Sequence, residues 1–404
     1  MKVSVFTPTH DPQYLRDAYE SVKAQDVHEW VILYNNGAEP VRFQESWIKE
    51  YVSEDTSGCV GAYKAEACAK CEGDILLELD HDDLLLEGAV EAVKEAFTGN
   101  SELGMAYSNS VACSMEYEPR EHFDPLFGWS YRPFNYKGYE LEECVAFPPI
   151  PAAVSRIWYA PNHLRAFSSK FYKMVGGHNK EMRVLDDLDL MCRLYTVSKF
   201  YHIDRPLYLY RVHGDNSWIV HNSEIQNNVY RIYYQYIENL ALKWAKDNNL
   251  LAVDLGGRFS KDPRYMSVDL KDADVIADLE KPWPFGDGTV GVVRARDVFE
   301  HLRDPLHTMK ELYRVLCPAG YAFITVPSTD GRGAFQDPTH VSYWNENSFL
   351  YYTDRRWSTY IDTPVSFQAM QLGTSEKNEQ GVCWVEAHLL KLYGNMSIPG
   401  LKFI

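Results

Sequence analysis

The sequence predicts an α/β protein of two domains, each a mainly parallel sheet flanked by helices. Three observations predict it. Apolar runs of strand length alternate with helix-period segments over residues 2–220, and the alternation begins again at residue 250. A helical stretch without Gly or Pro, Ser223–Asn248, separates the two. At 404 residues the chain exceeds one small domain, and its 46% hydrophobic and 24% charged residues exclude low-complexity disorder and collagen-like structure. The domains are therefore drawn at 1–222 and 250–404, with 223–249 as a helical linker.

The first strand is Val3–Phe6, running into Thr7–Thr9. Pro12–Gln25 carries Leu15, Ala18, Tyr19 and Val22 on one helical face. Trp30–Tyr34 is a buried strand ended by the turn Asn35–Gly37, and a helix over Gly61–Cys71 leads to the strand Asp74–Leu79. Ligands of parallel sheets bind beyond the carboxyl ends of the strands. Thr7–Asp11, Asn35–Gly37 and Asp80–Asp83 lie at such ends. Asp80, Asp82 and Asp83 repel one another unless they are solvated or share a cation. A hard divalent ion satisfies them. So does the first turn of a helix over Leu84–Phe97, and spacing leaves both readings open. Asp186, Asp187 and Asp189 repeat the pattern in a helical stretch, and Pro206–Val212 is a strand that ends before His213. Cys113–Pro161, rich in Tyr, Phe, Trp and Pro, reads as loops. Just beyond it, Asn162, His163 and Arg165 are candidates for an acceptor side.

After the long helix, strands are expected at Leu250–Leu255, Tyr265–Asp269, Val290–Val293 and Tyr321–Val326, and a helix at Thr308–Leu316. Val365–Leu372 and Val382–Tyr393 alternate like an antiparallel hairpin.

A formal net charge of −17 disfavours nonspecific binding to nucleic acid or anionic membranes. No stretch approaches the ~18 consecutive apolar residues of a membrane span. The N-terminal apolar run is too short for a signal peptide, and eight cysteines are too sparse for a disulfide scaffold. These features together give the expectation of a reduced, cytoplasmic protein. The single Cys68-x-x-Cys71 falls on a helix and reads as structural.

The order of motifs over about residues 2–220 resembles family 2 inverting glycosyltransferases with the GT-A fold. The matching residues are Val5–Asp11, the Asn35–Gly37 turn, Leu79–Asp83, Gly176-Gly177 followed by Leu185–Asp189, and Tyr210–His213. The resemblance implies that Thr7, Pro8, Thr9 and Asp11 line a nucleotide pocket. Asn36 stands where the family often has an acid that recognises the base. Asp80 would contact the ribose or metal, Asp82 and His213 would hold Mn²⁺ or Mg²⁺ on the donor diphosphate, and Asp187 would be the general base.

Residues 250–395 resemble class I S-adenosylmethionine-dependent methyltransferases, a Rossmann-like fold. The match lies in Asp278-Leu279, Trp283–Phe285 with Asp287-Gly288, Asp297–Leu302, Arg314–Gly320 and Val326-Pro327. By resemblance, Asp254, Gly256 and Gly257 form the methionine-side loop, Asp269 binds the ribose, and Asp278 and Leu279 flank the adenine. Only 15 residues separate Asp254 from Asp269, so the helix usual between them is short or absent. His340 is a candidate acceptor-side residue, with a plain loop histidine equally consistent.

The expected function is transfer of a sugar from a nucleoside-diphosphate sugar, UDP-linked by family resemblance, to a glycan or other hydroxyl acceptor. The second domain would bind S-adenosylmethionine and methylate the same glycan. Two alternatives stay open: a methyltransferase whose first domain only binds a sugar nucleotide, and a glycan-binding scaffold. Homo-oligomerisation is not decided by the sequence.

Overall fold

The computed structural model describes residues 1–392 apart from 121, 122, 126, 127, 215 and 261. The described residues divide into two units, Met1–Asp124 with Trp129–Ile237, and a second made of Pro125, Gly128 and the residues from Glu238 on. The end of the expected second hairpin strand, Tyr393, lies outside the described residues. No helix of the described residues is long and apolar enough to cross a membrane.

In the first unit, β1 (Val3–Thr9), β2 (Glu29–Tyr34), β3 (Ile48–Val52) and β4 (Ile75–Glu78) are parallel, in the order β3-β2-β1-β4. Helices α1 (Leu15–Lys23) and α2 (Val60–Lys70) connect them. Val3, Val5, Trp30, Ile32, Ile75 and Leu77 pack with Leu15, Ala18 and Val22 in one core. Strands β1, β2 and β4 are buried along nearly their whole length, which is why they read as apolar runs, whereas β3 is mostly half-exposed and does not.

The chain then forms β5 (Leu84–Leu85), α3 (Ala89–Phe97), β6 (Leu103–Cys113), β7 (Tyr131–Tyr136), β8 (Tyr139–Cys144), α4 (Pro151–Val154) and β9 (Ala166–Ser168). It continues through α5 (Ser169–Met174), α6 (Asp186–Val197) and β10 (Lys199–Arg211). The sheet extends as β4-β9-β6-β10-β5, with β8 also paired to β6.

Two expectations change here. The helix expected from Leu84 begins only at Ala89, after Gly88 in the left-handed region at φ +75°. Leu84 and Leu85 instead pair antiparallel with Leu209 and Tyr208. Asp80–Asp83 therefore belong to a strand-end loop and not to a helix N-terminus. Secondly, Cys113–Pro161 contains a hairpin, β7–β8, closed by Lys137 (φ +50°) and Gly138 (φ +94°). Its strands are partly solvated and carry Arg, Pro, Asn and Glu, so they lack the apolar alternation that marks a strand.

Helices α7 (Ser217–Val220) and α8 (Asn222–Asp247) follow, the latter in place of the expected linker helix. Residues of α8 up to Ile237 belong to the first unit and the rest to the second.

The second unit contains β11 (Leu251–Leu255), β12 (Met266–Asp269), β13 (Val275–Ile276), β14 (Val290–Arg296), α9 (Pro305–Val315) and β15 (Leu316–Pro327). Then come α10 (Gly333–Gln336), α11 (Glu346–Thr353), α12 (Arg355–Ser358), β16 (Phe367–Thr374) and β17 (Trp384–Lys391). The sheet order is β13-β12-β11-β14-β15-β17-β16, parallel through β15, with β17 antiparallel to both neighbours. Among the described residues no helix lies between β11 and β12, as the 15-residue spacing predicts.

Gly61 sits where α2 meets the segment leading to α6. A Cβ there would lie 2.1 Å from the Asn179 carbonyl oxygen and 3.2 Å from the Asp186 Cβ. Backbone cannot move aside as a flexible side chain can. Gly61→Ala is expected to cost about 1–3 kcal/mol through overpacking, read as a lower urea midpoint. An unchanged midpoint would show that this contact is slack.

Candidate active site

The site of the first unit is built on a buried ion network at the carboxyl end of β4. Glu78, 3% exposed, is the last residue of that strand. Its Oε1 lies 2.7 Å from the Lys64 Nζ of α2 and accepts from the Arg165 guanidinium at 3.0 Å. Burial opposes charge on Glu78, but Arg165 and Lys64 outweigh it and hold the carboxyl at about 2. Each cation also reaches the first turn of α6. Lys64 Nζ is 3.8 Å from Asp186 Oδ2, and Arg165 donates to Asp187 Oδ2 at 2.5 Å.

Asp187 also accepts from the backbone N–H of Leu188 at 2.7 Å. Burial raises its pKa, yet Arg165 and Lys64 win and hold it below the ordinary carboxylate range. Its side chain keeps 20% exposure. Arg165 itself is fully engaged with Glu78 and Asp187, so it sits beneath the site instead of lining an open acceptor face. His163 is also buried, stacked against Tyr208 and Tyr210 with ring centroids 4.5 Å away in each case. Burial and then Arg165 push it down to about 3, leaving it neutral. Asn162 alone of the three acceptor-side candidates is exposed.

Beyond β4 the acidic loop sorts by depth. Asp83 is fully buried, accepts from the Arg211 backbone N–H at 2.7 Å, and has its pKa raised well above the usual range by burial and then by Asp82. Asp80 donates its backbone N–H to the Tyr208 hydroxyl at 3.1 Å, and burial raises its carboxyl to about 7. Asp82 points elsewhere: its Oδ2 lies 2.8 Å from His213 Nε2. Side-chain exposures of 11% for Asp82 and 16% for His213 leave this pair reachable. Asp80, Asp83 and His163 can also bring one ligand atom each within 4.8 Å of one another. That set is deep, and a cation held by it would be shielded from a diphosphate.

Around the Asp82–His213 pair gather His10, His81 and Tyr14, with His10–His81 centroids 4.9 Å apart and Tyr14 stacked on His213 at 5.7 Å. Arg211 crosses below, donating to Asp17 at 2.8 Å and to the Asp82 carbonyl. At the end of β1, the Thr7 hydroxyl accepts from the Trp30 indole at 2.9 Å and faces the core. The Thr9 hydroxyl is buried without a partner, next to half-buried Pro8. Asp11 caps a short turn over Pro12–Tyr14 by accepting from Gln13. Asn36, at φ +51°, accepts from the Tyr63 hydroxyl at 2.9 Å. Sequence reasoning missed Lys64, Glu78 and Arg211. A lysine inside a helix and a glutamate inside an apolar strand carried the only signal.

In the second unit, backbone bonds bring the carboxyl ends of β11–β13 together. Gly257 N–H donates to the Val268 carbonyl, and Ala277 N–H to that of Asp269. Gly256 is at φ +67°, where a Cβ would meet Val298 at 2.3 Å, so the loop requires glycine. Asp254 does not face this loop freely. Both of its oxygens take the Arg294 guanidinium, at 3.1 and 2.8 Å. Arg294 also reaches Asp262 and Glu238 and lies 3.9 Å from the Tyr265 ring centroid. Asp269 accepts from its neighbour Leu270, Asp278 pairs with Lys281 at 3.2 Å, and Leu279 is buried. A cleft of about 430 Å³ is lined by Asp254, Asp262, Tyr265, Asp272 and Asp274, and includes none of Gly256, Gly257, Asp269, Asp278 or Leu279.

Residues 235–324 match the family model described as a methyltransferase domain. The chain is 22% identical over 250 residues to chondroitin synthase of Escherichia coli, covering 60% of this chain and 33% of that protein. It is also 22% identical over 226 residues to hyaluronan synthase of Pasteurella multocida, covering 54% of this chain and 21% of that one. The chain thus spans about a third or less of the length of these curated relatives. Among solved structures, S. aureus TarS 1-349 in complex with UDP-GlcNAc aligns with a TM-score of 0.44 at 14% identity, over 62% of this chain and 72% of that one. A mannosyltransferase from Pyrobaculum calidifontis in complex with GDP-Man and Mn²⁺ aligns with a TM-score of 0.36 at 13% identity, over 61% and 64%. The described residues form two α/β units, and the methyltransferase-domain match falls largely on the second.

The network has a pH signature. Burial raises Asp186 to about 6 in the folded chain, against an ordinary value of 3.8. A carboxyl whose folded pKa is raised binds its proton more tightly when folded. Its contribution to stability is complete below 3.8 and is lost as pH rises through about 6. Asp186→Asn is therefore expected to flatten the decline of melting temperature between pH 4 and 7. A parallel decline in the variant would place the titration elsewhere.

Proposed function

We propose that the first unit is an inverting, divalent-metal-dependent glycosyltransferase that takes a nucleoside-diphosphate sugar, UDP-linked by family resemblance, and a hydroxyl-bearing acceptor. The observation that carries this reading is the carboxylate of Asp187, charged, partly exposed and fixed by Arg165, in one network with the strand end that bears Asp80 and Asp82.

Asp82 and His213 fit a divalent cation: one carboxylate oxygen and one imidazole nitrogen converge at 2.8 Å and stay accessible. A cation held there would neutralise charge developing on a departing diphosphate. Thr9, Asp11 and Asn36 lie at the neighbouring strand ends and would receive the nucleoside, with Asp80 against the ribose. Asp187 would take the proton of the acceptor hydroxyl as the new bond forms. Arg165 favours the ionised form of Asp187 and lowers its basicity, which suits a displacement in which bond breaking to the diphosphate runs ahead of proton removal. A single displacement with one base on the face opposite the leaving group inverts the anomeric carbon.

For the second unit the reading is an S-adenosylmethionine site at the carboxyl ends of β11–β13. Gly256, Gly257, Asp269 and Asp278 are brought there by the backbone, while Asp254 acts beneath it through Arg294. The cofactor would supply a methyl group, for which a glycan hydroxyl is the proposed acceptor. The high negative charge argues against nucleic acid as that acceptor.

Asp187→Asn keeps the shape of the side chain and removes the base. It is expected to retain donor nucleotide and Mn²⁺ affinity by calorimetry and to lose about 10²–10⁴-fold in turnover, the scale of general-base catalysis. Normal turnover in the variant would reduce Asp187 to a helix-terminal acid.

A further inference from the structure

A second set of metal-type side chains lies in the methyltransferase-like unit, away from the glycine loop. At the end of β14, Asp297 takes φ +51° and turns the chain into a single short turn, Phe299–His301. That turn places Glu300 inside the protein, 2% exposed, with neither carboxylate oxygen hydrogen-bonded. A buried carboxylate without donors is costly, and the exceptions call for a missing partner. His340, on the segment after α10, faces it, with Nε2 3.9 Å from Glu300 Oε1.

The tautomers are set by backbone. His340 Nδ1 lies 2.9 Å from the Ala334 carbonyl oxygen. A carbonyl only accepts, so Nδ1 carries the proton and Nε2 turns its lone pair toward Glu300. His301 Nδ1 lies 3.2 Å from the Thr339 carbonyl oxygen, which favours the same state. Metal-binding histidines are held in this way, with the far nitrogen donating to a carbonyl or carboxylate. Glu300, His301 and His340 each offer one ligand atom, all within 4.8 Å of one another. Ligands about 2.1 Å from a common ion stand roughly 3–3.5 Å apart, so the set closes on an ion with side-chain movements on the order of 1 Å.

We infer that Glu300, His301 and His340 bind a first-row divalent metal ion, Zn²⁺ or Mn²⁺ in type. Two imidazoles and one carboxylate suit such ions better than Ca²⁺ or Mg²⁺. Three protein ligands leave coordination positions open, as in sites that act on a bound oxygen. The open positions suit a hydroxyl oxygen of an acceptor. Phe335 on α10 and Tyr343, three residues after His340, stack 5.2 Å apart while 62% and 53% exposed.

The test uses the full chain carrying Asp80→Asn and Asp82→Asn, so that neither candidate cation set of the first unit contributes. Calorimetric titration with Zn²⁺ is expected to show one equivalent bound. Glu300→Gln and His340→Asn, each added to that chain, are expected to weaken binding at least tenfold while far-UV circular dichroism stays unchanged. Asp337→Asn, whose carboxylate stands 4.0 Å from His340 Nε2, is expected to change it less than threefold. A variant-free check is Co²⁺: imidazole ligation in a site of low coordination number gives intense visible bands, and a purely aquated ion does not. No Zn²⁺ bound by the folded chain, or unaltered affinity in both Glu300→Gln and His340→Asn, overturns the site. So does a Co²⁺ spectrum indistinguishable from that of the free ion.

Discussion

Glu78 accepts two cations at once, and the arrangement of the first unit's site follows from that. Lys64 comes from α2, Arg165 from the residue before β9, and both reach on to Asp186 and Asp187 at the start of α6. Four elements are thereby tied at the carboxyl end of β4. Taking these charges out of water is expensive, and a hydrophobic replacement of similar volume would often be as stable. What the ions supply is direction. Asp187 is held ionised by Arg165 with one face still open, while Asp186 is buried and has its pKa raised. Two adjacent carboxyls thus have their pKa values moved in opposite directions because their environments differ.

The same device appears in the second unit with another purpose. The described residues between Gly256 and Tyr265 include no helix to anchor them. Arg294 on β14 gathers Asp254, Asp262 and Glu238 and lies over the Tyr265 ring, and so fastens that segment to the sheet. Asp254 therefore supports the loop through Arg294. A sequence motif places Asp254 at the right strand end, but cannot say that its carboxylate is already occupied from the neighbouring strand.

Much of the architecture was legible because buried parallel strands write themselves as apolar runs and strand ends carry the polar residues. The β7–β8 hairpin was not, since its sheet faces are solvated and its residues are mixed. The helix over Leu84–Phe97 was placed too early because two leucines extend the apolar pattern of α3 backwards, although they pair with β10. At the site, the acidic clusters around Asp82 and Asp187 showed in the spacing, while the roles of Asp82, Asp187 and His213 came from the family resemblance. Glu78 and Lys64 showed in neither, because each sits inside an element as an isolated charge, and only the fold brings them within 2.7 Å. Arg165 was visible but misplaced to the acceptor side, since its burial depends on partners far apart in sequence.

If the buried network sets the direction of Asp187, removing its centre should affect chemistry more than donor binding. The direct measurement is nucleotide affinity and turnover for Glu78→Gln, a change that touches no proposed substrate contact. The account predicts donor affinity within about twofold of the parent and turnover lowered tenfold or more, the pattern of an interaction realised only in the transition state. Turnover equal to that of the parent in a folded Glu78→Gln chain would contradict it.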